Sequence, residues 1–234
     1  MPKPASIEPA AILRTAYRPP AFLVDTVDLR FELDPAATLV RSRLALRRNP
    51  AGTGKLVLDG EALSLLAVRL DGEVLGENRW RLTDGGLEID DVPDAAVLEI
   101  DTRIAPDANS ELSGLYTSGG AFFTQCEAEG FRRITYFPDR PDVMARYSTT
   151  IVADRAAVPV LLGNGNPTAT GVDGRSTGRP GPIRIPSRRI SLPWWLAISF
   201  RCAIRSPRGR GGMSISPSGC GAGTRMPVGT QWTR

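Results

Sequence analysis

The feature that most constrains the fold is an apolar–polar alternation with a period of two residues, which recurs in short segments between turn residues. In residues 23–33, LVDTVDLRFEL, one face would carry Leu23, Asp25, Val27, Leu29, Phe31 and Leu33. Such a period is typical of a strand that is buried on one side. After turns at residues 34–35 and 49–52, residues 40–47 and 55–59 predict two further strands.

Turn residues then follow at hairpin spacing. Asp71-Gly72 separates the predicted strands 66–70 and 73–75, and Asp84-Gly85-Gly86 interrupts residues 82–89. Further strands are predicted at 97–104, 121–125, 133–137, 146–153 and 158–163. No segment predicts a helix of more than about two turns. The sequence therefore predicts an all-β fold, an antiparallel sandwich or a saddle-shaped β-domain.

Charge divides the chain into two unlike parts. The whole chain has a net charge of +4, but residues 172–234 hold eleven arginines, no lysine and one acid, for a net charge of +10. Residues 1–171 therefore carry −6. We predict an N-terminal extension at 1–16, a β-domain at 17–171 and a tail at 172–234. The tail is rich in Arg, Pro and Gly without regular periodicity, so we expect it to be disordered.

Composition excludes several kinds of site and location. The chain has no histidine, which excludes any His-based triad, dyad or zinc site within it. Its three cysteines, Cys126, Cys202 and Cys220, are not at CxxC spacing and predict neither a disulfide framework nor a zinc knuckle. There is no run of about 18 apolar residues and no signal-peptide pattern at the start. These features predict a cytoplasmic protein with no membrane partner.

Residues 112–166 contain four motifs in order: LSGLY, TQCEAEGFRRIT, DRPDV and LLGNGN. This segment closely resembles the N-terminal β-domain of bacterial aminopeptidase N, the zinc-dependent alanyl aminopeptidases of the gluzincin group. The strand pattern of residues 17–104 also resembles that of the same domain, but less closely than residues 112–166 do. The resemblance implies that this chain is a fragment of an enzyme that removes N-terminal residues from peptides.

The resemblance also implies a substrate-binding role for two residues of the TQCEAEG motif. Gln125 and Glu127 match the glutamine and glutamate that hold the free α-amino group of the peptide. A carboxylate and an amide oxygen can together accept charge-assisted hydrogen bonds from an ammonium group. Without the resemblance, Glu127 and Glu129 would be interpreted as two solvated carboxylates on an edge strand. We interpret Cys126 between them as a buried structural thiol.

Three neighbouring motifs allow structural interpretations. Arg132-Arg133 is either a solvated rim or a pair that orders the loop. Residues 138–142, PDRPD, predict a rigid turn in which Asp side chains cap backbone amides. Residues 163–166, GNGN, predict a tight hairpin rather than an anion site.

The catalytic machinery of the family is missing from this sequence. The family binds zinc through an HExxH helix and a downstream glutamate, and neither is present here. The chain ends before the position expected for that helix. The resemblance therefore implies zinc as the cofactor of the intact enzyme, no metal bound by this chain, and no activity of this chain alone.

The tail resembles the family when it is read in another frame. Residues 185–199, back-translated with GC-rich codons and read from one base earlier, give DPKPSYLAALVAGDL, which is similar to the PKPSYLFALVAGDL of the family. The same shift applied to residues 224–233 can give DEDARGHAMD, which is similar to the family's DEDxCxHAMD. We therefore hypothesise that residues from about 172 onward are out-of-frame translation.

Two other functions fit parts of the sequence. A tail of charge +10, with Arg beside Trp and Phe, is typical of a nucleic-acid-binding extension. The front part could instead be a non-catalytic β-sandwich that binds peptide or carbohydrate. The resemblance favours neither, and it predicts a peptide N-terminus as the partner and no nucleic acid.

Overall fold

The structure is a computed structural model that describes residues 14–154, 157–158 and 160–163, together with the backbone of residues 171–172, 183–186, 190–192 and 201–203. The described residues form sixteen strands: β1 Phe22–Glu32, β2 Thr38–Arg48, β3 Leu56–Asp59, β4 Ser64–Leu70, β5 Glu73–Val74, β6 Trp80–Thr83, β7 Gly86–Ile89, β8 Ala95–Ile104, β9 Gly114–Ser118, β10 Ala121–Gln125, β11 Ala145–Val152, β12 Val160–Leu162, β13 Gly171–Val172, β14 Ile183–Pro186, β15 Ile190–Leu192 and β16 Arg201–Ala203. Three 3-10 helices lie at Arg14–Ala16, Glu77–Arg79 and Phe131–Arg133. The all-β prediction is confirmed. Among the described residues there is no helix with the length and apolar character needed to cross a membrane.

The strands form three open sheets. The largest has the order β13-β14-β11-β1-β2-β8-β4-β5, and β15 also pairs with β11. The other two have the orders β12-β16-β10-β9 and β3-β7-β6. Strand β1 runs parallel to β11, whereas the other described pairs are antiparallel. The predicted antiparallel β-domain is therefore present, and this pair is the parallel exception among the described strands. A short turn joins β1 to β2 on one side, which leaves the other side of β1 free for a much later strand of the same direction.

Strand β1 contains a β-bulge that the sequence pattern does not reveal. Val24 and Thr26 pair with adjacent residues of β2, so Asp25 between them is an extra residue. The buried side chains of β1 are Phe22, Val24, Val27, Leu29 and Phe31. The prediction that Leu23 and Asp25 share the buried face with Val27 is wrong, because the extra residue reverses the phase of the alternation.

Most of the predicted strands are present. The Asp71-Gly72 hairpin is confirmed, and both residues have positive φ values, 54° and 87°. Such values are typical of the turn that joins two strands through two residues. Strand β9 was not predicted from the sequence, because its glycine and small polar residues give little alternation.

The predicted strand at 133–137 is wrong. A 3-10 helix at Phe131–Arg133 includes the first residue of this segment, and in the rest of the segment only Phe137 makes an isolated bridge, with Asp59. Residues 134–139 are all buried, so this segment packs on several sides rather than on one face of a sheet. A segment buried on all sides has no two-residue period that would distinguish a strand from a bend.

An aromatic cluster joins this segment to the large sheet. The rings of Phe131 and Phe137 lie 4.9 Å apart, edge to face. Tyr147 on β11 lies 6.0 Å from Phe131, again edge to face. Aromatic pairs in this geometry add packing energy beyond the area they bury. The cluster therefore gives the segment after residue 130 a rigid base.

The predicted domain boundaries at residues 16 and 171 stay predictions. Within 172–234 the structure describes the backbone of Val172, at the end of β13, and of three further short strands. Of these, β14 and β15 pair with β11, and β16 pairs with β10 and β12. The predicted disorder of the other tail residues concerns positions outside the described residues.

Candidate functional site

Gln125 and Glu127 lie at the end of strand β10 and in the loop that follows. Thr124 and Cys126 are buried, whereas Gln125 and Glu127 are exposed, so the alternation of the strand continues one step past its end. The hairpin formed by β9 and β10 thus presents both predicted site residues to solvent and anchors Cys126 between them in the core.

The loop at 126–130 closes on itself. The Gly130 N–H donates to the carbonyl oxygen of Cys126 at 2.9 Å. The Gln125 side chain donates from Nε2 to the carbonyl oxygen of Glu127 at 3.0 Å. Glu129 has a left-handed φ of 64°, and the peptide bond after Glu127 is cis. These contacts fix the backbone that carries the Glu127 carboxylate.

Glycine is required where this loop meets β9. A Cβ atom at Gly130 would lie 2.5 Å from the carbonyl oxygen of Gln125 and 2.8 Å from Ser113 Oγ. Gly114 has a φ of 74°, and a Cβ there would lie 2.7 Å from the Cβ of Arg133. The 2.5 Å distance at Gly130 and the 2.7 Å distance at Gly114 are too short for any side chain. The two glycines therefore permit the close approach of these segments.

The acceptor atoms of the two site residues are unoccupied within the described part of the chain. The Glu127 carboxylate has no ion-pair or hydrogen-bond partner among the described residues, and neither has Oε1 of Gln125. A free carboxylate and a free amide oxygen on one closed loop can accept hydrogen bonds from a primary ammonium group. The alternative of two carboxylates on an edge strand is wrong about the strand, since β10 ends at Gln125.

The guanidinium of Arg132 is held from three sides behind the loop. Its Nε donates to Asp139 Oδ2 at 3.1 Å, and Nη2 donates to the Asp139 carbonyl oxygen at 3.2 Å. Nη2 also lies 3.5 Å from Glu129 Oε1. The backbone N–H of Arg132 donates to the same Asp139 Oδ2 at 3.1 Å. The prediction that Asp side chains of the PDRPD turn cap backbone amides is therefore confirmed for Asp139.

Asp139 is itself fixed from behind. Its side chain is 0% exposed, and its backbone N–H donates to Asp59 Oδ2 at 2.8 Å. Burial raises the pKa of Asp139, while the hydrogen bonds and charge of Arg132 oppose that rise. Asp139 Oδ1 and the hydroxyl of Tyr147 are buried and have no hydrogen-bond partner among the described residues. Burial, together with the charge of Asp139, raises the pKa of Tyr147 well above its usual value.

The other charged residues of this region also have partners. Arg133 forms an ion pair with Glu61. Arg140 donates from Nη2 to Asp142 Oδ2 at 2.8 Å, and Tyr17 donates its hydroxyl proton to the same oxygen at 2.9 Å. The interpretation of Arg132-Arg133 as a solvated rim is therefore wrong for both arginines. Of the predicted GNGN hairpin, residues 164–166 lie outside the described residues.

The described residues do not fit a zinc site. No group of three His, Cys, Asp or Glu side chains among them is arranged to hold a metal ion, and the sequence has no histidine. Cys126 carries a thiol that is 2% exposed and forms no disulfide with another described residue. Burial, with a smaller effect from Asp139, raises its pKa to about 12, so the thiolate that binds zinc is disfavoured here. The interpretation of Cys126 as a buried thiol is confirmed.

The sequence did not single out Asp59 and Glu61, which hold this region from the other side. Asp59 is the last residue of β3 and Glu61 follows it, some 70 residues before the arginine pair in the chain, so their proximity depends on the tertiary fold. The only sequence signal for the contacts of Asp139 is its place between two prolines, which predicts a rigid turn.

Comparisons with known proteins agree with this architecture. Residues 85–177 match the Peptidase M1 N-terminal domain family. The chain is 48% identical over 163 residues to an aminopeptidase N of Caulobacter vibrioides and 44% identical over 164 residues to that of Escherichia coli. Each match covers 70% of this chain and 19% of the relative, so the chain spans about a fifth of the length of these relatives.

Solved structures show the same fold. Aminopeptidase A of Legionella pneumophila, solved in complex with aspartic acid, superposes with a TM-score of 0.72 at 29% identity, over 81% of this chain and 22% of that one. An M1 zinc metallopeptidase from Deinococcus radiodurans has a TM-score of 0.63 at 17% identity, over 79% and 42% of the two chains. Over residues 85–177 and the β-fold around them, the chain is therefore similar to the N-terminal domain of M1 peptidases.

Proposed function

We propose that this chain is a fragment of a zinc aminopeptidase and that it supplies the loop that binds the free α-amino group of a peptide. The observation that carries the proposal is that the Glu127 carboxylate and Gln125 Oε1, which stand on one closed and exposed loop, have no partner among the described residues. The aminopeptidase relatives support the substrate class, since the name of each describes action at a peptide terminus.

The chemistry of the two residues explains selectivity for a free terminus. The carboxylate of Glu127 accepts charge-assisted hydrogen bonds from the ammonium, and Gln125 Oε1 accepts another. The Gln125 Nε2 bond to the Glu127 carbonyl oxygen orients the amide so that its oxygen is the free atom. An acetylated terminus has lost both the charge and two donor protons, so it would leave the carboxylate unpaired.

The zinc chemistry must come from residues other than those of this chain. The sequence has no histidine and no HExxH motif. We therefore expect the 234-residue chain alone not to hydrolyse peptides.

We also propose that residues from about 172 onward are out-of-frame translation of the same gene. The family match ends at residue 177, close to the point where the charge changes from net negative to strongly positive. This part of the proposal concerns how the chain arose, and its test is given in the Discussion.

The test of the amine-binding role uses the intact enzyme, obtained by restoring the reading frame beyond residue 171. Glu127→Ala removes a charge-assisted contact, so we expect kcat/KM for a free-amine substrate to fall about 30- to 1000-fold. This corresponds to a loss of roughly 2 to 4 kcal/mol of transition-state stabilisation. Zinc content should not change. Glu111→Ala, which removes an exposed carboxylate that precedes β9, is the matched control and should have kcat/KM of the wild type.

Acetylation of the substrate provides the second measurement. Blocking the amine should harm the wild type severely and Glu127→Ala proportionally less, because the same contact can be lost only once. Equal penalties for acetylation in the two enzymes, or an unchanged kcat/KM for Glu127→Ala, would show that Glu127 is an ordinary solvated carboxylate.

A further inference from the structure

Two arginines follow directly after the loop that carries Glu127, yet neither neutralises it. Arg132 is engaged by Asp139 and Glu129, and Arg133 by Glu61. The Glu127 carboxylate has no such partner among the described residues. A carboxylate that must receive a substrate cation needs this arrangement, since an arginine of the protein would compete for the same oxygen atoms.

We propose that Asp139 is a positioning residue that holds the Arg132 guanidinium away from Glu127 and so keeps Glu127 available for the substrate's ammonium group. The inference rests on the proposed amine-binding function and deepens it. Asp139 does not touch the substrate. It acts through Arg132.

The contacts show why Asp139 and not Glu129 does the holding. Asp139 accepts from Arg132 Nε and from its backbone N–H through Oδ2, and from Nη2 through its carbonyl oxygen. The side chain of Asp139 is fully buried and that of Arg132 is 21% exposed, so solvent screens this pair little. The Glu129 side chain is 67% exposed and lies 3.5 Å from Arg132 Nη2, which makes it a weak surface partner.

Removal of the Asp139 charge would therefore leave Arg132 with only the weak partner. Glu127 lies two residues from Glu129, the carboxylate that Arg132 Nη2 already approaches to 3.5 Å. A guanidinium can bind a carboxylate through two parallel hydrogen bonds, so it is an effective competitor for a primary ammonium. Asp139→Asn is nearly isosteric and keeps an acceptor oxygen, so it changes the charge with little change in packing.

The test compares four forms of the frame-restored enzyme: wild type, Asp139→Asn, Arg132→Gln and the double variant. We expect Asp139→Asn to lower kcat/KM for a free-amine substrate about tenfold, mainly through a higher KM, because a competitor for binding weakens the contact. The penalty for acetylating the substrate should shrink. The double variant Asp139→Asn/Arg132→Gln, which has no competing cation, should recover to within about threefold of wild type.

Asp142→Asn is the matched control. It makes the same substitution in the same turn, but it releases Arg140, whose Nη2 also donates to the carbonyl oxygen of Arg18. It should leave KM unchanged. Thermal unfolding of each variant and the rate of Cys126 alkylation in the 234-residue chain report whether the fold and the buried base of the loop are retained.

Three outcomes would overturn the inference. The first is a wild-type KM for Asp139→Asn, and the second is a double variant as impaired as the single one, which a purely structural role predicts. The third applies if Asp139→Asn does not fold, in which case the double variant, which removes one charge of each sign, is measured alone. A tenfold or larger loss of kcat/KM in the double variant would then overturn the inference. Failure of the amine-binding proposal is distinguishable, since Glu127→Ala would then keep the kcat/KM of the wild type.

Discussion

At the scale of single residues, contacts from outside the loop hold the two arginines that follow Gln125 and Glu127. The alternation along β10 places Gln125 and Glu127 outward and Cys126 inward, as the structure shows. The role of the first two as amine ligands stays a prediction. Arg132 pairs with Asp139, and Arg133 pairs with Glu61, which lies 72 residues earlier in the chain. Local patterns do not report contacts of that range.

The buried thiol of Cys126 leads to a pH-dependent prediction. Its pKa is about 12 in the folded chain against a reference value of 9.0, so the folded state keeps the proton that the unfolded state loses. The resulting stability is fully present below pH 9 and is lost as the pH rises from 9 toward 12. Between pH 8 and 10 this thiol should reduce the free energy of unfolding by about 1 kcal/mol.

Urea unfolding of the 234-residue chain at pH 8, 9 and 10 measures this effect. Cys126→Ala should be less stable at pH 8, because it leaves a small cavity, but its stability should fall less steeply with pH. The other ionisable groups are common to both proteins, so the difference in slope isolates Cys126. Parallel pH profiles for the two proteins would contradict the assignment of the raised pKa to this thiol.

At the scale of elements, the strands with one buried face were predictable and the irregular elements were not. Strand β2 buries Thr38, Val40, Ser42, Leu44 and Leu46, a regular period of two. The bulge in β1 and the 3-10 helix at Phe131–Arg133 both interrupt such a period, for different reasons. One extra residue reverses the phase in β1, whereas burial on several sides removes the period after residue 131. The parallel pairing of β1 with β11 depends on sheet order, which no local pattern specifies.

The bulge predicts an unequal response to two single-residue deletions in β1. Deletion of Asp25 removes the extra residue, so the residues before it keep their register with β2 and their buried face. It loses the ion pair with Arg47, an exposed contact of small worth. Deletion of Asp28, which is paired in the regular part of the ladder, would turn Phe22 and Val24 to the opposite face.

We expect the Asp25 deletion to unfold cooperatively with a midpoint lowered by a few degrees, about 1 kcal/mol or less of stability. The Asp28 deletion should show no cooperative transition, because it exposes two large buried side chains. Circular dichroism during thermal unfolding distinguishes the two. Equal losses in both variants would show that Asp25 has a structural role beyond that of the extra residue.

At the scale of the whole molecule, composition marks a boundary that the family match also marks. The first 171 residues carry a net charge of −6 and contain the described core, and the family match ends at residue 177. The remaining residues are rich in Arg, Pro and Gly and lack Lys. A GC-rich gene read out of frame produces this composition, since the codons of Arg, Pro and Gly are GC-rich and those of Lys are not.

The last prediction follows from this boundary and is tested in the gene. Residues 185–199 and 224–233 both give family-like peptides when they are read one base earlier, and they do so in the order expected for the family. The adjacent tryptophans Trp194 and Trp195 can be encoded only by TGGTGG, which contains the valine codon GTG in the shifted frame. The valine at this position therefore does not depend on which codons are chosen for the back-translation. We expect the nucleotide sequence near codons 166–175 to show that an uninterrupted family-like frame continues one base away. A second, independent read of the same gene decides whether the lost base lies in the gene or in the first read. A shifted frame interrupted by stop codons, or one without the PKPSYL-like and HAMD-like segments, would instead make residues 172–234 a genuine extension, for which arginine contacts to nucleic acid would be the leading alternative.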